Sequence, residues 1–302
     1  VTPLTQAHWH VLGAGAIGCL FAVGLHDAGC QVTLVLRQPS TPTVDLTLEN
    51  DRHARTLSLP VCSAGEGGPV DHLLVTTKAY DVANAVASVV HRLAPNGQVL
   101  VMANGMGIAE EVAAACPGIK PYLGSTTEGA YRHGPGHIHH AGSGSTLIGR
   151  SGEARPPPWF ETWRRATPDC RWENPIEPAL WRKLAINCAI NPLTALHGCR
   201  NGELLAQEHL RHQLDELCKE IGAVCEAAGY AGLAGELGGD VAGVIRGTAA
   251  NYSSMLQDLR NGRRTEIDYI TGHLLRVARS HGIDTPASRT LFEDIKGLEK
   301  DA

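Results

Sequence analysis

A chain of 302 residues with a formal net charge of −5 and a pI near 6.3 is not a general polyanion binder, and its 5% aromatic content leaves little for stacking bases. At 43% hydrophobic and 19% charged, it has an ordinary globular composition and length for about two domains that need neither metal nor disulfide to form a core. Its nine cysteines include no C-x-x-C pair, so no zinc site and no disulfide framework is expected. The first ten residues lack the basic stretch of a secretory signal, and glycine or charge interrupts every apolar run. These features read as a soluble cytoplasmic protein without a membrane or nucleic-acid partner.

In chain order, HWHVL (8–12) predicts a strand, CLFAVGLHDAG a helix and QVTLVL a second strand, which together make a β-α-β unit. VDLTLEN and ARTLSLPV read as an inserted antiparallel pair. Strands at about 71–76, 98–102 and 121–125 follow, with helices at about 80–93 and 107–115 between them. YRHGPGHIHHAG reads as a turn feeding a β-ribbon, with His133, His137, His139 and His140 on its two faces. No carboxylate or cysteine pattern accompanies those histidines, so no metal is expected there either. SGEARPPPWF and ENPIEP mark a change of character at 151–178, after which helical periodicity dominates. Helical tracts are read at about 204–229 and 237–260. The fold class is therefore α/β, a doubly wound parallel sheet followed by an all-helical part.

The stretch Gly13-Ala14-Gly15-Ala16-Ile17-Gly18 follows a strand and opens a helix. In a dinucleotide site the first glycine permits the turn, the second lets the pyrophosphate approach, and the third lets helix and strand pack. The free N–H groups of the helix N-terminus, with Ala16 and Ile17 in the first turn, then receive phosphate. A carboxylate at the end of the second strand would select NAD. This sequence has Arg37 there and no nearby carboxylate before Asp45, so NADPH is expected. Lys78 and Asn104 end later strands and so belong to the ligand crevice.

In LWRKLAINCAINPLTAL, Lys183, Asn187 and Asn191 recur at i, i+4 and i+8, one polar stripe on an otherwise apolar helix. Such a stripe is costly to bury without a polar ligand. Thr265-x-x-Asp268 reads as a capping box, which puts Glu266 in a first helical turn.

LWRKLAINCAINPLTAL, NGELL and SSMLQDLRNGRRTEIDYITGHLLRVARSHGI resemble the ketopantoate reductase family. GAGAIG, LVTTKAY and NGMG match it as well, so the resemblance covers nearly the whole chain. It implies an NADP-binding Rossmann domain over 1–174, a helical domain of the phosphogluconate dehydrogenase type over 175–302, and an active site in the cleft between them. Lys183 matches the catalytic lysine and Glu266 the substrate-binding glutamate that acts with it. Asn104, Asn187, Asn191, Asn201 and Ser254 match positions lining the substrate pocket. Arg37 and Lys78 match the pair associated with the NADP 2′-phosphate. The implied reaction is NADPH-dependent reduction of ketopantoate, a small 2-oxo acid, to pantoate for pantothenate and coenzyme A synthesis. A homodimer is the one macromolecular assembly this reading leaves open. Thr126-Thr127-Glu128-Gly129 and the segment 150–178 depart from the family pattern. An NADPH-binding redox sensor without turnover, or a dehydrogenase of another small oxo or hydroxy acid, stands as the alternative.

Overall fold

The computed structural model describes residues 7–301, which separate into two compact units: residues 7–103 with 108–177, and residues 104–107 with 178–301.

In the first unit, β1 (His8–Leu12), α1 (Ala16–Asp27) and β2 (Gln31–Leu36) form the β-α-β unit, with Trp9 opposite Val32 in a parallel pair. β3 (Thr43–Glu49) and β4 (Ala54–Ser63) are the expected antiparallel pair. The end of β4 also pairs parallel with β2, Leu34 opposite Val61, so the insertion extends the main sheet. β5 (Val70–Val75) lies on the other side of β1. After α2 (Ala79–Val89) comes β6 (Leu93–Val101), and after α3 (Ile108–Ala115) comes β7 (Tyr122–Thr126), each continuing the parallel order. Growth in both directions from β1 makes it the topological switch point. Right-handed crossovers then put α1 on one face and α2 and α3 on the other. β8 (Gly129–Gly134) and β9 (His137–Gly142) form the histidine-bearing ribbon, and β9 pairs with β3. β10 (Thr146–Gly149) runs antiparallel to β7. α4 (Phe160–Ala166) and β11 (Cys170–Trp172) complete the unit.

The strand order β11-β10-β7-β6-β5-β1-β2-β4-β3-β9-β8 puts β7 and β8 eight positions apart. In a flat sheet that separation would be about 38 Å, at about 4.8 Å per strand. Only Thr127 and Glu128 join the two strands, and the three Cα steps from Thr126 to Gly129 reach about 11 Å at most. The sheet therefore bends back on itself. What it wraps is α1, which packs against β1, β2, β3, β8, β9 and α4. The helix sequence AIGCLFAVGLHD is apolar on nearly every side, and such a helix has to be covered on more than one face.

The second unit is helical: α5 (Glu177–His197), α6 (Glu203–Ala206), α7 (Glu208–Ala227), α8 (Ala231–Gly247), α9 (Ser254–Arg260), α10 (Thr271–Ser280) and α11 (Pro286–Asp301). Both long helical tracts read from sequence are broken. Gln207 is extended and separates α6 from α7, and residues 248–253 separate α8 from α9. Ser253 caps α9 by accepting the Leu256 N–H. Proline opens α11, where its missing N–H costs nothing, and Glu220 of α7 accepts the following amides of Ala287 and Ser288. Leu184, Cys188 and Leu193 of α5 are buried with Leu217 and Ile221 of α7, Leu274 of α10 and Ile295 of α11 in one apolar core. A separate core, centred on Trp9, Phe21, Leu34 and Trp163, serves the first unit.

Candidate active site

The candidate cofactor residues of the first unit follow from strand order. β5, β1 and β2 are neighbours and parallel, so the loops leaving their C-terminal ends emerge along one edge. Those loops carry Lys78, the glycine run and Arg37. Gly13 has φ +109, and a Cβ there would lie 2.6 Å from the Thr77 amide nitrogen. A Cβ on Gly18 would overlap the Gly13 carbonyl oxygen and the Thr76 hydroxyl. A Cβ on Gly15 would meet nothing within 4 Å, and Gly15 caps α1 with no side-chain partner. Two glycines are thus required by packing, while the middle one borders open space at the N-terminus of a twelve-residue helix, as a pyrophosphate needs. The residues present fit a dinucleotide.

Sequence reading missed Thr76, whose hydroxyl donates to the Gly13 carbonyl at 2.7 Å and ties the loop to the end of β5. It also missed Arg132 on β8, whose guanidinium approaches the Ala14 carbonyl at 3.5 Å. Both lie far from the loop in sequence. A threonine after a strand or an arginine in a ribbon carries no signal until the sheet is closed.

Arg37 lies one residue beyond β2, and its side chain is 91% exposed. Its Nη2 is 3.3 Å from Oδ2 of Asp81, in the first turn of α2. No carboxylate follows Arg37 in sequence before Asp45, but α2 supplies one across the strand ends. Lys78 is the residue immediately before α2.

A second group of candidate residues lies in the helical unit. The loop Asn104–Gly107 docks on the 265–273 segment through its glycines. Gly105 (φ +97) leaves no room for a Cβ, which would lie 2.5 Å from the Tyr269 carbonyl oxygen, and the Met106 N–H donates to that oxygen at 3.0 Å. Asn104 is thereby held where its Nδ2 donates to Oε2 of Glu266 at 3.2 Å.

Glu266 is buried, but the capping-box reading of its surroundings is corrected. Residues 266–270 form a turn, and helix α10 begins only at Thr271. The Thr265 hydroxyl accepts the Ile267 N–H, as a cap would. Its other partner is Glu299 of α11, whose Oε1 accepts both the Thr265 N–H and hydroxyl at 2.7 Å. Asp268 instead faces Arg264 and Lys296. Burial alone would raise the Glu299 carboxyl, but its bonds from Lys296 and Thr265 prevail and hold it below the usual range. Glu299 was not legible as a site-supporting residue because helix packing brings it to Thr265 from 34 positions away.

Lys183 is half-buried on α5. Burial lowers its pKa to about 8 against the upward pull of the Glu266 charge. Asn187 and Asn191 continue the same helical face, Asn187 half-buried and Asn191 buried. Asn201 is buried, with its side-chain amide donating to Thr248 and its backbone N–H to the Asn251 carbonyl. That organises the loop before α9, where Ser253 accepts from Thr194 of α5 at 2.7 Å. Ser254, the exposed first residue of α9, sits one place beyond that anchor. Hydrogen bonding and charge thus join Lys183, Glu266 and Asn104, while Asn201 and the cap beside Ser254 are tied to α5 through Ser253 and Thr194.

Comparison with known proteins identifies the family. The pattern of the family described as ketopantoate reductase PanE/ApbA matches residues 9–153, and that of the ketopantoate reductase PanE/ApbA C-terminal region matches residues 175–299. The 2-dehydropantoate 2-reductase of Vibrio cholerae is 39% identical over 292 residues, covering 96% of this chain and 97% of that protein. The enzyme of that name from Escherichia coli O157:H7 is 40% identical over 293 residues, covering 96% and 95%. The crystal structure of a PanE/ApbA family ketopantoate reductase from Ralstonia eutropha superposes with a TM-score of 0.87 at 25% identity, covering 97% of this chain and 99% of that one. With both halves matched in order and relatives near 40% identity along almost the full length, the chain belongs to the ketopantoate reductase family.

Proposed function

We propose that this protein reduces ketopantoate to pantoate with NADPH, with Lys183 as general acid and Glu266 as substrate anchor, and so supplies pantothenate and coenzyme A synthesis. The observation that carries the reading is the half-buried Lys183 ammonium, brought to about 8 and set against a buried Glu266 that Asn104 holds in place. A proton donor works best with a pKa near the operating pH, and burial has moved this lysine there.

Bound nicotinamide supplies the hydride. The protein's own part is the proton and the pose. Lys183 donates to the ketone oxygen as negative charge develops, and Glu266 accepts from the substrate hydroxyl. Ser254 and the asparagines of the α5 stripe hold the carboxylate end. Gly13, Gly15 and Gly18, with the first turn at Ala16 and Ile17, cradle the pyrophosphate, while Arg37 and Lys78 receive the 2′-phosphate. Residues 1–174 then serve the cofactor and 175–302 the substrate.

The reading is tested by following the loss of reduced-nicotinamide absorbance with purified protein, ketopantoate and NADPH, with NADH and other 2-oxo acids in parallel. Rapid oxidation confined to NADPH and ketopantoate supports it. NADPH binding without oxidation would overturn it.

A further inference from the structure

The histidine-rich ribbon has no carboxylate in its own sequence, but the fold brings one to it. β9 pairs in parallel with β3, Glu49 opposite His139, and antiparallel with β8, Tyr131 opposite His139. Residues in register on adjacent strands share a face, so Glu49, His139 and Tyr131 form one row across three strands. A register shift between Arg132 and Gly134 disturbs the alternation of β8, and bulges of this kind re-aim side chains. Here His133 turns toward the same row. His140 points to the opposite face, where its Nε2 lies 2.6 Å from Glu128.

The result is a three-donor cluster. Nε2 of His133 is 3.4 Å and Nδ1 of His139 is 3.5 Å from the same oxygen, Oε1 of Glu49, and all three donor atoms lie within 4.8 Å of one another. Metal–ligand bonds of about 2.0–2.1 Å arranged tetrahedrally put neighbouring donors about 3.3 Å apart, so the two distances to Glu49 already have nearly the right spacing. The second ring nitrogen of His139, Nε2, is 3.7 Å from Oδ1 of exposed Asp51. A carboxylate behind a ligating imidazole fixes its tautomer and raises its basicity. The Tyr131 ring packs against both imidazoles, with centroids 4.9 Å from each, and restricts their rotation. One face of the cluster is open, because His133 is exposed and Glu49 and His139 are only half-buried.

We propose that Glu49, His133 and His139 form a site for one divalent transition-metal ion of the zinc class, with solvent in the fourth position. Two imidazoles and a carboxylate suit zinc, cobalt or nickel, whereas magnesium and calcium prefer all-oxygen shells. The ion pins the β8–β9 ribbon to β3 and takes no part in ketone reduction.

The test is titration of untagged, chelator-stripped protein with cobalt(II), followed by displacement with zinc(II). Wild type should take up one equivalent with micromolar affinity and show ligand-field absorbance without the intense near-ultraviolet band of a thiolate ligand. That band separates this cluster from the cysteines. His133→Gln and Glu49→Gln should each weaken binding at least tenfold and abolish any rise in melting temperature on adding zinc, while His140→Gln should do neither. Unchanged NADPH oxidation in His133→Gln would confirm that the exposed substitution leaves the fold intact. A thiolate spectrum, absence of saturable uptake below millimolar metal, or equal affinity in wild type and both variants would overturn the proposal.

Discussion

Asn104 and Glu266, 162 positions apart, share a hydrogen bond of 3.2 Å, and two left-handed glycines flanking Met106 make that approach sterically allowed. If the buried carboxylate is held ready by that amide, Asn104→Ala should raise the KM for ketopantoate about tenfold. The basis is a hydrogen bond to a charged group, with a net contribution of about 1.5–3 kcal/mol. The fall in kcat should be smaller. Steady-state kinetics at saturating NADPH would separate the two, and an unchanged KM would show that Glu266 needs no such support.

If Lys183 is the general acid, the reaction should have a definite pH dependence. Its pKa is lowered to about 8, and only the ammonium form can donate a proton. Turnover in the reductive direction should therefore be flat at neutral pH and fall as pH rises through about 8. Lys183→Ala should lower kcat by about 10²–10⁴-fold and remove that limb. A pH profile of kcat showing no decline between 7 and 10 would exclude Lys183 as the acid.

The exposed pair of Arg37 and Asp81 bears on cofactor choice. Asp81 offsets part of the charge that Arg37 would present to a 2′-phosphate. Exposed pairs of this kind contribute about 0–1 kcal/mol, so Asp81→Asn should tighten NADPH binding by at most about fivefold and leave NADH unchanged. Arg37→Asp should weaken NADPH far more than NADH. Equal effects on both cofactors, measured by fluorescence titration, would remove Arg37 from the 2′-phosphate.

Glu299 acts at one remove, as a positioning residue. Through Thr265 it fixes the turn on which Glu266 sits. Glu299→Ala leaves two donors of a fully buried threonine without an acceptor, at about 1–3 kcal/mol each. It should lower the melting temperature and raise KM more than it lowers kcat. Glu299→Gln keeps an acceptor and should restore most of the KM. If Gln and Ala behaved alike, the effect would belong to the Lys296 ion pair instead.

Local signals made much of this legible in the sequence. GAGAIG between a strand and an apolar helix fixed the loop, and the i, i+4, i+8 spacing fixed the α5 stripe. What escaped reading came from distant parts of the chain. Asp81 reaches Arg37 across strand ends, Glu299 reaches Thr265 through helix packing, and Glu49 reaches His139 through a parallel register. The capping box misled for a related reason. Thr265 does accept a local amide, but a remote carboxylate takes the place that Asp268 was expected to fill, so the helix starts five residues after Glu266.

The back-folded sheet has a consequence for the footing of the cofactor loop. With α1 covered by strands on one side and by the β8–β9 ribbon and α4 on others, the amides of its middle turns should exchange more slowly than those of its open first turn. The slowest-exchanging amides of the first unit should lie in the middle of α1, so a dinucleotide bound at the glycine loop would rest on a rigid floor.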